Sequence, residues 1–386
     1  MTLMAETATH WNWIFGGAFA LVALWAFIYA RAVPQGGARW WALALATAVL
    51  AVAGTLAAEG LAATLLIDAA ALCAVALVFS DRKPAARRAA RVYLVMTLAA
   101  VACLLLAERL AGAAQPAYPL DRVVSGLLLA GFALKLALAP VYFWLPAVAE
   151  SAAPVSVVLI VSVVDIAAFR ELAHFRTAMP WVFDQHQAVW LAVALLSMFL
   201  GALLALGQKN LRRMLAFSTI DDMGYLLLGV VAGTPAGLTG ALLGALAHAL
   251  FKLLLFGAVG VAEHGLGRPL TLADRGLGCR YPRSAAAFVV GALGMIGVPP
   301  MIGFAGRWRI YLSGVELGGA WLGLAMALAT VLALFYYVRA VHRVWLGPSQ
   351  APAGERCEPK LAGGLLVALI AAVIVLGLIP AWLLAI

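Results

Sequence analysis

Residues 134–150 read LKLALAPVYFWLPAVAE. Lys135, Pro140 and Pro146 interrupt or border an otherwise apolar run over 123–145, which is long enough for a membrane helix. Proline removes an amide donor and clashes with the preceding turn, so a helix through this run is expected to break near Pro140. Carbonyls freed at membrane depth persist only where protein or a wet cavity covers them. A lysine at the centre of a membrane helix costs about 2.5–3.5 kcal/mol on insertion scales. Groups kept at that cost commonly belong to proton or ion pathways, so the stretch points to charge transport across a membrane.

The composition agrees with a membrane setting. The chain of 386 residues is 65% hydrophobic and 11% charged, with a mean hydropathy of +1.02; soluble domains carry about 25% charged residues. The expected fold class is an all-α polytopic membrane protein. The net charge of +9 fits basic loops held on one side of a bilayer, so lipid is an expected partner and nucleic acid is not. Cys73, Cys103, Cys279 and Cys357 form no CxxC or CxxH pair, and no iron–sulfur, P-loop or dinucleotide motif is present. Neither a metal site nor a cofactor is therefore expected in this chain. The first apolar run lacks a basic segment before it and a small-residue cleavage site after it, so 12–30 reads as a retained helix.

Twelve segments have the length of a membrane helix: 12–30, 40–58, 61–79, 92–107, 123–145, 153–170, 187–206, 214–232, 238–262, 285–312, 317–338 and 362–384. With the N-terminus outside, eighteen basic residues fall on the cytoplasmic side, from Arg31 and Arg39 through Arg82 to Arg356 and Lys360. Only Arg109, Arg122, Arg170 and Arg176 fall opposite. That bias places both termini outside.

The tenth segment repeats the theme of the fifth. It contains LGMIGVPPMIGFAGRW over 293–308, with Pro299 and Pro300 in its middle. Setting the first and last helices aside leaves two five-helix sets, each with its broken member in fourth place. Five is odd, so the sets enter the membrane from opposite sides, the arrangement of inverted-repeat transporters. The expected organisation is an N-terminal helix (1–39), a first repeat (40–176), a second repeat (187–345) and a C-terminal loop and helix (346–386).

Asp68, Lys135, Asp165, Asp221, Asp222, His248, Lys252 and Arg307 all lie inside or at the edges of these segments. His248 and Lys252, spaced i,i+4, share a helix face. Any one of these groups can serve as a lock between helices, and Asp68 and Arg307 stand near enough to helix ends to snorkel. Acids and bases spread over six helices are better explained by one lateral polar chain. Asp68 and Asp165 are the nearest acids to Lys135 by helix order, so one of them is expected to pair with it. Lys135→Ala is expected to end transport with assembly largely kept.

Lys135 to Pro140, Trp144-Leu145-Pro146 and Ala153-Pro154-Val155-Ser156 resemble the signature of the antiporter-like family of proton-pumping membrane subunits. That family serves respiratory complex I, membrane-bound hydrogenases and multisubunit sodium/proton antiporters. KNLRRMLAFSTIDDMGYLLLG (209–229), HALFKLLLFGAVG (248–260) and GVPPMIGFAGRW (297–308) add to the likeness. The resemblance implies fourteen core helices, which the twelve segments fit with two N-terminal helices missing, and the long lateral helix of the family's distal complex I member is not expected in a sequence that ends at Ile386. It implies that Lys135 is the central proton carrier, with Asp68 as its acidic partner. It further implies that His248 and Lys252 form the conducting pair and that Arg307 stands at the lysine after the second break.

Three departures stand out. Asp68 is one methylene shorter than the family's glutamate, which suggests a water bridge to Lys135. Ile160 replaces a bridging histidine, for which Asp165 is the nearest substitute. Arg307 replaces a lysine, and a guanidinium keeps its proton. The function implied is a proton-translocating subunit of a larger, redox-driven complex in a bacterial inner membrane. Its expected partners are other membrane subunits and a soluble redox or zinc-containing module. A sodium/proton antiporter, an inorganic-carbon uptake complex and a non-pumping scaffold are the alternatives.

Overall fold

The structure, a computed structural model, describes residues 2–34, 36–57, 60–81, 83–111, 118–348 and 358–378. Arg82, Arg356 and Cys357 lie outside the described residues. Apolar runs of about twenty residues become helices, because in a bilayer every backbone group must be bonded within its own segment. In chain order these are α1 (Thr2–Ala32), α2 (Ala38–Leu56), α3 (Leu61–Phe79), α4 (Pro84–Ala111), α5 (Leu120–Lys135), α6 (Trp144–Ser151), α7 (Pro154–Leu159), α8 (Asp165–Ala178) and α9 (Pro180–Asp184). There follow α10 (Gln187–Gly207), α11 (Leu211–Val231), α12 (Pro235–Leu266), α13 (Pro282–Ile296), α14 (Ile302–Ala340) and α15 (Lys360–Leu378).

Among the described residues, nine helices are long and apolar enough to cross a membrane. Of the other three expected segments, the fifth and tenth are broken and the sixth passes through a π-turn. The fifth is α5 and α6, parted by Leu136–Phe143, and the sixth is α7 and α8, joined by a π-turn at Ile160–Val164. The tenth is α13 and the first arm of α14, parted by Gly297–Met301. Gly319, at φ 67° and ψ −160°, turns α14; its second arm is the eleventh segment.

Several boundaries need correction. The first segment starts at Thr2 rather than 12, and the fourth at Pro84 rather than 92, so Arg87, Arg88 and Arg91 lie in a helix and not in a loop. The sixth segment was expected to close at Arg170, counted among the loop residues. The helix instead runs on to Ala178, and Arg170 is buried within it. The stop is supplied by Met179 and Pro180 rather than by the first charge met.

α11 and α12 form the middle of the bundle. Their most apolar 18-residue windows are 100% and 89% buried, against 22% for Ile302–Trp345 and for α15. Close crossings rest on small residues, as is usual where packing holds membrane helices together. A Cβ on Gly201 of α10 would lie 2.4 Å from the Asp221 backbone nitrogen, and one on Gly224 of α11 2.6 Å from the Ala194 carbonyl. The aspartates of α11 are thereby held in the interior.

Candidate functional site

The first break forms directly after Lys135. Ala137 adopts φ 52°, which ends the helical path. The peptide groups that this turn exposes find partners. Ala139 N–H donates to Ser197 Oγ at 3.0 Å, and Trp144 Nε1 donates to the Leu134 carbonyl at 3.0 Å. Trp144 is itself stacked on Tyr93, with ring centroids 4.3 Å apart. The break is thus a braced structure that fixes Lys135 at the end of α5.

The Lys135 ammonium lies 2.6 Å from Asp68 Oδ1 of α3 and 2.7 Å from Glu171 Oε2 of α8. All three side chains are buried. Asp68 touches Lys135 directly, so the shorter side chain needs no water bridge, and it does not snorkel. Glu171 was absent from the sequence reading, because the segment was closed one residue too early. Asp165 does not pair with Lys135. It is 1% exposed and neither carboxylate oxygen has a hydrogen-bond partner among the described residues. Ile160, at the position noted for a histidine, opens the π-turn that leads to Asp165. Beyond the lysine, Thr64 Oγ1 donates to Glu108 of α4 at 3.4 Å.

The second cluster centres on Asp222 of α11. Its Oδ2 lies 2.8 Å from His248 Nδ1, and its Oδ1 accepts from Arg307 Nη2 at 2.7 Å. Arg307 also donates to the Met295 carbonyl at 2.9 Å and lies over the Tyr225 ring at 4.1 Å. The arginine after the second break therefore closes off a carbonyl at the end of α13 and turns inward instead of snorkelling. A cavity of about 20 Å³ lies against Asp222, His248 and Arg307, room for roughly one water.

Lys252, one turn beyond His248, is fully buried with no carboxylate in contact among the described residues. It donates to the Leu215 carbonyl at 2.8 Å and to Ser218 Oγ at 2.6 Å. Tyr337 donates to the same Ser218 at 3.2 Å, while Tyr336 donates to Asp221 Oδ2 at 3.0 Å. The sequence-derived residues thus gather into a lysine held by two acids and a second group built on α11, α12 and α14. Asp165 stands apart on α8. No trio of metal-ligating side chains occurs among the described residues.

Comparison with known proteins places this geometry. The family described as "NADH:quinone oxidoreductase/Mrp antiporter, TM" matches residues 57–333. NADH-quinone oxidoreductase subunit N 2 of Acidobacterium capsulatum is 32% identical over 274 residues, covering 66% of this chain and 54% of the relative. Subunit N of Rhodobacter capsulatus is 33% identical over 253 residues, covering 65% and 52%. The chain spans about half the length of the curated relatives it matches. A chain of respiratory complex I from Thermus thermophilus with bound Aureothin superposes with a TM-score of 0.79 at 26% identity, covering 95% of this chain and 84% of that one. A chain of the Mrp complex from Dietzia sp. DQ12-45-1b reaches a TM-score of 0.87 at 21% identity, over 97% and 81%; at that identity the likeness is one of fold.

Proposed function

The chain belongs to the family of transmembrane subunits of NADH:quinone oxidoreductase and Mrp antiporters, and on that premise we propose that it conducts protons as one membrane subunit of a larger, redox-driven complex. The observation that carries this reading is Lys135, buried between Asp68 and Glu171 at the end of a broken helix. Burial favours the neutral form of any ionisable group and opposite charges favour the ionised form. A lysine gripped by two acids sits where a small displacement of either acid shifts that balance. Coupling such a displacement to chemistry elsewhere turns proton uptake and release into vectorial transfer.

In this proposal Asp165 is a stepping position between the two clusters, and Asp221, Asp222, His248 and Lys252 continue the path. Pro140, Pro299 and Pro300 supply the breaks beside it. Residues 40–176 and 187–345 act as two inverted halves. Driving force comes from other chains: further membrane subunits and a soluble redox module, with no cofactor held in this chain. The Acidobacterium and Rhodobacter relatives support a bacterial inner membrane. The basic-residue bias supports both termini on the outer face.

The test is Lys135→Arg in vesicles carrying the whole complex, read with a pH-sensitive dye. Arginine preserves the charge and both ion pairs, yet keeps its proton when a partner moves. Assembly without pumping is expected. Normal pumping would make Lys135 a fixed charge and overturn the proposal.

One observation favours a second reading, a scaffold subunit that does not pump. Arg307 is clamped by Asp222, the Met295 carbonyl and Tyr225, and a guanidinium so held does not relay protons. Under the conducting reading, Arg307 steers charge and the proton leaves by another group.

A further inference from the structure

A cavity of about 830 Å³ opens on the face where the ends of α1, α3 and α12 meet the starts of α2, α4 and α11. Five basic side chains line it, Arg39, Lys83, Arg87, Arg212 and Arg268, against the carboxylates of Asp81 and Glu263. Two of the five are already neutralised. Arg212 pairs with Glu263 at 3.2 Å, and Arg268 pairs with Asp274. Arg39, Lys83 and Arg87 have no ion pair among the described residues, so three cations face the single acid Asp81.

Two further features point the same way. Arg212 forms part of the cavity wall although it is only 4% exposed. Gly36, Gly37 and Ala38, at the start of the 19-residue α2, also line the cavity, and that N-terminus has no side-chain cap. Uncapped first-turn amides add partial positive charge to the same space. The rest of the wall mixes apolar side chains, Val33, Leu77 and Phe79, with Ser80, Ser156 and His264. Cations and hydrocarbon in one lining fit an amphiphile with a phosphate head. The volume lies within the range of small-molecule sites and leaves room for more than one phosphate.

We propose that this cavity binds a phosphate-bearing anion, with Arg39, Lys83 and Arg87 as the recognising cations. Its chemistry suits the headgroup of an anionic phospholipid best, and a soluble polyphosphate shares the same recognition. Each juxtamembrane basic residue contributes roughly fivefold in affinity for an anionic lipid. Removing three is expected to weaken binding about a hundredfold.

The experiment titrates the purified full chain in detergent with cardiolipin, with phosphatidylcholine and with sodium pyrophosphate. Bound lipid is counted by native mass spectrometry. The unaltered chain should retain cardiolipin over phosphatidylcholine, and the combined variant Arg39→Gln, Lys83→Gln, Arg87→Gln should lose that preference. A control variant, Arg109→Gln with Arg122→Gln, should keep it. Displacement by pyrophosphate would assign the site to soluble phosphate, and retention against pyrophosphate to the lipid. Equal retention of cardiolipin by the triple variant, or equal retention of phosphatidylcholine by the unaltered chain, would overturn the proposal. The unfolding midpoint without ligand separates loss of binding from loss of fold.

Discussion

A lysine held by two carboxylates and a lysine held by none invite different experiments. Removing Lys135 leaves Asp68 and Glu171 facing each other in buried space, and stripping one partner from a buried pair costs about 3–5 kcal/mol. Lys135→Ala is therefore expected to lower the thermal unfolding midpoint as well as transport, contrary to the mild structural effect expected from sequence. Combining it with Asp68→Asn and Glu171→Gln should restore most of the stability and none of the transport. A triple variant as unstable as the single one would show that the stranded carboxylates are not the cause. For Arg307 the prediction runs the other way. Arg307→Lys keeps a cation beside Asp222 but supplies a group able to release its proton, so proton flux in vesicles should rise if the guanidinium limits it. Unchanged flux would place the exit elsewhere. At this scale the sequence disclosed Lys135, Asp68, His248 and Lys252, because a charge in an apolar run is conspicuous. Glu171 was hidden by its neighbour: Arg170 next to an acid reads as the watery end of a helix. Following the helix to its stop at Pro180 would have placed Glu171 inside.

The two interrupted helices were legible from Pro140 and Pro299–Pro300, but their bracing was not. The first break turns at Ala137, where a positive φ would ordinarily have called for glycine, and its freed amide is met by Ser197 from a helix 58 residues away in sequence, by the donor–acceptor pair Ala139 N–H and Ser197 Oγ. Neither feature leaves a mark in local sequence. An amide orphaned in the protein interior costs about 1–3 kcal/mol. Ser197→Ala should lower stability by that amount, measured by thermal unfolding in detergent, and Ser197→Thr should recover part of it. A Ser197→Ala midpoint equal to that of the unaltered chain would mean the amide has another partner. The second break is braced by a charged side chain, since Arg307 Nη2 donates to the Met295 carbonyl. Substitutions at Arg307 therefore disturb an element as well as a charge.

For the whole molecule, the length of the apolar runs made most segments readable, while the interior order of the bundle was not. Nothing local says that α11 and α12 lie in the middle while α14 presents Trp308, Trp321, Leu324 and Phe335 outward. Close glycine crossings, such as Gly201 and Gly224 between α10 and α11 and Gly240 and Gly306 between α12 and α14, go with that order. The topology is open to direct measurement. Cysteine placed at Pro235 or Glu316, near loops predicted to face outside, should react with an impermeant thiol reagent added externally to intact cells. Reaction only after the cytoplasmic side is opened would invert the proposed orientation.

The glycine crossings also bear on what can move. Around the second cluster several would-be Cβ atoms meet main chain, Gly201 against Asp221, Gly224 against Ala194, and Gly306 against Gly244 and Gly240, while Gly244 and Gly294 meet the side chains of Leu226 and Phe251. Around the first cluster the nearest atoms are side chains, Ile67 for Gly54 and Leu104 for Gly131, with main chain 3.1 Å from a Cβ on Gly54 and 3.4 Å from one on Gly131. Backbone seated on backbone leaves no slack for sliding or rotation, whereas a leucine tip can swing between rotamers. Crossings such as α10 on α11, where main chain meets main chain at Gly201 and Gly224, are therefore expected to hold as fixed joints, and adjustment to fall where the Leu104 side chain meets Gly131 of α5.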